Sequence, residues 1–216
     1  MLFRSRATAL AALAPRLPPH LFAEALAAAR TIADEYRRSR ALAALAPHLP
    51  PHLFAEALAA ARTIDSEYWR SEALAALAPH LPAEQQPAVY AEALAAARTI
   101  DDEYWRSRAL AALAPHLPAE QQPAVYTDAL AAARAIRSDI NRAAALAALA
   151  PHLAATPALD EQFAPTLRML AQGGRPALLA DLWALQPWLA ALAERRQPTM
   201  LAALATAISE TGRCWP

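Results

Sequence analysis

The chain contains no lysine. Its 20 basic residues are all arginine and are matched by 20 acids, so the net charge is zero. A duplex-binding protein normally carries a basic excess, so no nucleic-acid partner is expected. Cys214 is the only cysteine, which rules out an internal disulfide and a cysteine metal cluster and points to a reducing cytoplasm. Glycine is confined to Gly173, Gly174 and Gly212. There is accordingly no glycine-rich phosphate loop and no Gly-x-Ser-x-Gly nucleophile turn. No apolar run reaches about 18 residues without a charge or a proline, which leaves no membrane span. No catalytic constellation and no cofactor motif is expected of this chain.

What the chain has instead is alanine, at 63 of 216 positions. Alanine is the best helix former, and β-branched residues are scarce, so the composition is that of an all-α protein. The sequence Ala-Leu-Ala-Ala-Leu-Ala-Pro-His-Leu stands at 41–49, 73–81 and 109–117. A further exact copy stands at 145–153, and a degenerate one at 9–17, where Arg16 replaces the histidine. The motif prolines Pro15, Pro47, Pro79, Pro115 and Pro151 are separated by 32, 32, 36 and 36 residues. A fixed period of this length marks a stacked repeat array. The first 23 residues carry three arginines and no acid, as a transit peptide does, but they are in register with the later copies and read as the first repeat.

Each repeat reads as two helices. Helix A of the third copy begins at Glu67, with Arg70, Leu74, Leu77 and Leu81 on one face. Pro79 disfavours α geometry at Ala78, so the helix frays or kinks there. Helix B of the second copy runs from about Pro51 to Ile64, with Phe54, Leu58, Ala61 and Ile64 as its buried stripe. The 36-residue copies add Ala83–Gln86 and Ala119–Gln122 ahead of helix B. Four residues are about one helical turn, so the stripe keeps its phase. One hairpin cannot bury its stripe alone, and stacked neighbours can. The fold class expected is therefore an all-α solenoid of helix-turn-helix repeats over residues 1–153. A helical C-terminal cap follows over 154–216, with helices expected at Leu159–Ala171, Pro176–Leu192 and Pro198–Thr211.

Differences between copies separate packing from specificity. Two positions of helix A change from copy to copy, three residues apart and opposite the leucine face. They hold Ser5 and Thr8, Arg37 and Arg40, Trp69 and Glu72, Trp105 and Arg108, and Asn141 and Ala144. Tryptophan and arginine are favoured at interface hot spots. Arg37, Arg40, Trp69, Glu72, Trp105 and Arg108 are therefore the candidate partner-binding residues; the tryptophans also suit a core role against the next repeat. The recurrent His48, His80, His116 and His152 lie one per repeat, about 10 Å apart, too far to converge on one metal ion. They suit the last carbonyls of helix A instead. Arg30, Arg62, Arg98 and Arg134 close helix B, where they are expected to bridge to Asp34, Asp65, Asp101 and Asp139.

The segment Ala-Glu-Ala-Leu-Ala-Ala-Ala-Arg-Thr-Ile-Asp-Asp-Glu-Tyr-Trp-Arg-Ser at 91–107, with the Ala-Leu-Ala-Ala-Leu-Ala-Pro-His-Leu-Pro motif that follows, resembles the helical repeats of large bacterial proteins. Those proteins carry a STAND-type NTPase domain of the NACHT or NB-ARC kind. The stretch Gly174–Leu182 and the ending Thr211-Gly-Arg-Cys-Trp-Pro are similar to their tails. More broadly, the chain looks like the tetratricopeptide and HEAT classes. The resemblance implies a non-enzymatic sensor that captures a protein or peptide ligand in bacterial defence or signalling. The alternative is a structural scaffold that self-associates into a homo-oligomer through its Trp-bearing strips.

Overall fold

A computed structural model describes residues 3–195 together with Ala202 and Thr206; the side chains of residues 3–6 are not described. The expected helix Pro198–Thr211, apart from Ala202 and Thr206, lies outside the described residues, as do Cys214, Trp215 and the side chain of Ser5. Among the described residues all regular structure is helical. The fold is the α-solenoid class: consecutive helices pack against each other as stacked hairpins. No single described helix is long and apolar enough to cross a membrane.

The chain divides into two compact units, Met1–Ile100 and Asp101–Pro216. The first unit holds three hairpins: α1 (Phe3–Leu13) with α2 (Phe22–Arg30), α3 (Glu35–Leu45) with α4 (Phe54–Arg62), and α5 (Glu67–Leu77) with α6 (Gln86–Arg98). Within it the A helices lie side by side, α1 on α3 and α3 on α5. The second unit opens with the hairpin of α7 (Glu103–Leu113) and α8 (Gln122–Ala135), followed by α9 (Asp139–Ala155). Three shorter helices complete it, α10 (Phe163–Leu170), α11 (Arg175–Ala184) and α12 (Gln186–Glu194), with α11 and α12 packed on α9.

The expected stripes are the buried ones. Leu74, Leu77 and Leu81 of the third copy are buried, as are Phe54, Leu58, Ala61 and Ile64 of the second. The four-residue insertions lengthen helix B: α4 has 9 residues and α6 has 13. Tyr90 then falls where Phe54 stands and is equally buried. Gln86 and Gln122, the last residues of the insertions, turn back and donate to the carbonyls of Leu81 and Leu117, each at 2.9 Å. In the 32-residue copies Pro51 sits in a 3-10 turn, Pro51–Leu53, and the α-helix starts at Phe54.

The motif proline does not itself end helix A. It tightens the last residues into a 3-10 turn, such as Ala78–His80. The chain becomes extended one residue later, with ψ of 132° at Leu17 and Leu49 and 159° at Leu81 and Leu117. Each of those leucines precedes a second proline, which disfavours α geometry at the residue before it. Leu153 precedes Ala154 instead, and α9 runs through Pro151 to Ala155. The single expected helix Pro176–Leu192 is in fact two, α11 and α12, bent by 64° about Leu185. Pro187 accounts for the break: its ring would clash with the Trp183 carbonyl, and it has no N–H to offer.

Arg30 and Arg62 at the ends of their B helices take other partners than the expected aspartates. Arg30 bonds Glu56 at 2.5 Å, and Arg62 grips both oxygens of Glu92 at 2.8 Å. Both acceptors lie on helix B of the next repeat, so the bridge runs between repeats. The Arg62–Glu92 contact raises the Arg62 pKa. Of the expected aspartates Asp34 caps helix A, accepting from the Arg37 amide at 2.9 Å; in the fourth copy the cap is Asp102, which accepts from the Trp105 amide at 3.0 Å, and in the third and fifth copies the N-cap residues are Ser66 and Ser138.

Candidate peptide-binding grooves on the helix-A face

The i, i+3 spacing puts the changeable residues on the rim of helix A, above the alanines that follow one and two turns later. Alanine at those places keeps the surface between adjacent A helices low, and a trough results. In the first unit a depression of about 490 Å³ lies between α1 and α3. Alanines of both helices floor it, and Thr8, Tyr36, Arg37 and Arg40 supply its polar edge. In the second unit a depression of about 370 Å³ lies between α7 and α9. Five alanines of the two helices line it, together with Tyr104, Ser107, Arg108 and His152. Among the described residues no acidic side chain lines either trough.

The six candidate residues thus fall into three settings. Arg37 and Arg40 edge one trough, Arg40 being fully exposed. Arg108 edges the other; it donates to the Tyr104 hydroxyl at 3.3 Å and lies 5.9 Å from the Trp105 ring centroid, within cation–π range. Trp105 itself is 38% exposed and meets Tyr104 edge-on at 5.1 Å. Trp69 and Glu72 line neither trough. Trp69 is half-buried, 4.8 Å from Tyr36 of the preceding repeat and 4.6 Å from Tyr68. Glu72 accepts from the Tyr68 hydroxyl at 3.0 Å. Trp69 thus contacts the neighbouring repeat and keeps an accessible edge.

Comparison of copies passed over Tyr36, Tyr104 and Ser107, because their kind recurs in the internal copies and recurrence was read as packing. Ser39, Ser71 and Ser107 are all buried, and Ser107 Oγ has no hydrogen-bond partner among the described residues. The histidines also differ among themselves. His48, His80 and His116 are exposed at the ends of their 3-10 turns. His152 is half-buried, stacked on Tyr126 at 5.2 Å, with Nδ1 at 3.1 Å from the phenol oxygen. Burial raises the Tyr126 pKa, so the phenol keeps its proton at neutral pH. Among the described residues no three His, Cys, Asp or Glu side chains are placed to hold a metal ion.

Fold and site define an α-solenoid of helical hairpins with alanine-floored troughs on its helix-A face. No protein-family model, curated protein or solved structure matches this chain.

Proposed function

We propose that the chain is a non-enzymatic recognition module that binds a protein or peptide through the helix-A face. One observation carries the reading: residues that change between copies, Arg37, Arg40 and Arg108, edge open troughs on that face in both units. Residues that keep the repeats stacked lie beneath. The finer placement, as the sensor part of a bacterial STAND-associated defence or signalling system in the cytoplasm, rests on the sequence resemblance of the repeats alone.

The test is a double substitution, Trp69→Ala with Trp105→Ala, in the full chain. Peptides selected from a random display library on the wild type should bind this variant at least about tenfold more weakly, the scale of one hot-spot contact. Far-ultraviolet circular dichroism should stay unchanged. Loss of helicity would assign both tryptophans to the core, and equal binding would remove them from the interface.

A self-associating scaffold is the second reading. It is favoured by α11, whose outer side exposes Leu179 at 56% and Trp183 at 78%, one turn apart. Light scattering over a concentration series separates the two readings, because a recognition module stays monomeric.

A further inference from the structure

We propose that the outer edge of the first hairpin, α1 with α2, docks a helical hairpin of a partner protein that carries an arginine at the end of its second helix. The surface is separate from the helix-A troughs: none of Leu13, Leu21, Glu24 and Ala28 lines the trough between α1 and α3.

Burial along the internal copies locates this edge. Residues 18–32 and 50–64 are identical in sequence, as are 9–15 and 41–47. Their burial is not. Leu13 is 51% exposed, whereas Leu45, and Leu77 in the third copy, are fully buried. Ala9, one turn earlier on α1, is exposed, whereas Ala41 and Ala73 are fully buried. Leu21 and Ala28 are half-buried where Leu53 and Ala60 are buried. Identical segments differ here only through their neighbours. α3 has α1 packed on its preceding side, and α5 has α3. Among the described residues α1 has such a neighbour on its following side only. The open side of α1–α2 therefore repeats, residue for residue, a surface that this chain buries in its own stacking. The end of a repeat array needs a polar outer face in place of that stripe. An apolar stripe left open marks a protein contact.

Charge supplies an independent observation. Glu56 and Glu92 hold the same place on α4 and α6. Each accepts from the arginine that closes the preceding helix B, Glu56 from Arg30 at 2.5 Å and Glu92 from Arg62 at 2.8 Å. Glu24 holds that place on α2. It is exposed and has no partner among the described residues. What Glu24 lacks is what stacking supplies elsewhere, an arginine at the end of a helix one layer further out.

Continuity with the inter-repeat interface defines the occupant. A hairpin laid on this edge covers Ala9 and Leu13 with its first helix. Its second helix covers Leu21 and Ala28 and brings its terminal arginine to Glu24. A second copy of the chain brings only the same edge, and its Arg30 is already held by Glu56. Two such edges face to face supply no free helix-B arginine for either Glu24.

The test uses the full chain and a fluorescein-labelled peptide of residues 34–64, which holds the α3–α4 hairpin and Arg62. Fluorescence anisotropy should show saturable binding. Leu13→Arg in the chain should weaken it about tenfold or more, the scale of one hot-spot contact. Leu13 is half exposed, so circular dichroism should not change; Leu13→Gln is the milder variant should arginine disturb α1. Arg62→Glu in the peptide should weaken binding about threefold, and Glu24→Arg in the chain should restore it. In a second arm the peptide is fused ahead of Met1 through about 20 Gly and Ser residues, which makes docking intramolecular. The denaturant midpoint of the fusion should exceed that of the same fusion carrying Leu13→Arg. No binding of the free peptide together with equal midpoints overturns the proposal and leaves recognition at the troughs standing. Binding that Leu13→Arg and Leu13→Gln both leave unchanged places the hairpin elsewhere and overturns it too. Failure of Glu24→Arg to restore the Arg62→Glu peptide overturns the arginine as the recognised group. A chain that light scattering shows as a dimer, and as a monomer with Leu13→Arg, has a second copy on this edge, which overturns the partner protein as its occupant.

Discussion

Replacing Arg142 by Met should destabilise the second unit by about 3–5 kcal/mol, the usual result of removing one partner from a buried ion pair. Arg142 is buried on α9, and three contacts converge on it. Nε donates to Asp181 Oδ2 at 2.9 Å, with Nη2 in ion-pair contact with the same oxygen at 2.9 Å; Nη2 donates to Asp139 at 2.7 Å, and Nη1 donates to the Ile136 carbonyl at 3.4 Å. Asp181, on α11, is completely buried, and its Oδ1 has no partner among the described residues. Burial pushes the Asp181 carboxyl above the ordinary carboxylate range, against the opposing pull of Arg142. Arg142 stays charged, since its bonds to Asp181 and Asp139 outweigh the desolvation that would lower its pKa. Without Arg142 the carboxylate must either ionise unpaired or take up a proton at neutral pH.

The pH dependence has a definite sign. The folded state holds the Asp181 proton more tightly than the unfolded state does. This group's contribution to stability is therefore fully present below the unfolded pKa, about 3.9. It is lost as pH rises through the raised folded value. In Arg142→Met that decline should be deeper and extend to higher pH. The double variant Arg142→Met with Asp181→Leu removes both charges, and should recover most of the loss and flatten the profile. Denaturant unfolding followed by tryptophan fluorescence from pH 4 to pH 8 reads all three. A single-variant loss below about 1 kcal/mol would mean that Asp181 takes up a proton, or meets water, at little cost once Arg142 is gone.

This ion pair also marks the limit of what the sequence disclosed. The repeat, its stripes and the phase kept by the four-residue insertions were legible, because each depends on spacing and on residues one or two turns apart. The arginine series at 38, 70, 106 and 142 was equally periodic, yet its role depends on tertiary neighbours. Arg70 turns back onto the Ile64 and Asp65 carbonyls. Arg142 does this too, and also meets Asp181, 39 residues away and outside the repeat, where no period could forecast it. The inter-repeat bridges failed for a similar reason. Sequence proximity favoured Asp65 for Arg62, whereas stacking brings up Glu92 from the next helix B. The troughs were half legible: the changeable rim was visible, and the buried Ser107 beneath it was not.

Trp188→Ala should cost about 3–5 kcal/mol, as for other large core truncations, and should detach α12 from α9. Trp188 is fully buried and meets Phe163 edge-on at 5.1 Å, with rings 89° apart. At nine residues α12 is too short to hold its helix alone. Trp188 and Leu192 are its buried residues, so its order depends on packing. Removal of the indole takes away most of the buried surface that ties it down. Helical signal should fall by about the length of α12, and light scattering should rise as the leucines of α9 meet water. Trp188→Phe should behave differently. The indole Nε1 has no hydrogen-bond partner among the described residues, and a buried donor left unpaired costs about 1–3 kcal/mol. Phenylalanine keeps a ring against Phe163 and removes that donor, so the gain offsets much of the lost volume and the net cost should stay below about 1.5 kcal/mol. Trp183→Ala, on the same bent pair but 78% exposed, should change stability by no more than about 0.5 kcal/mol. Should Trp188→Phe prove as damaging as Trp188→Ala, the indole nitrogen would have a partner after all, and α12 would be fixed by that bond as well as by packing.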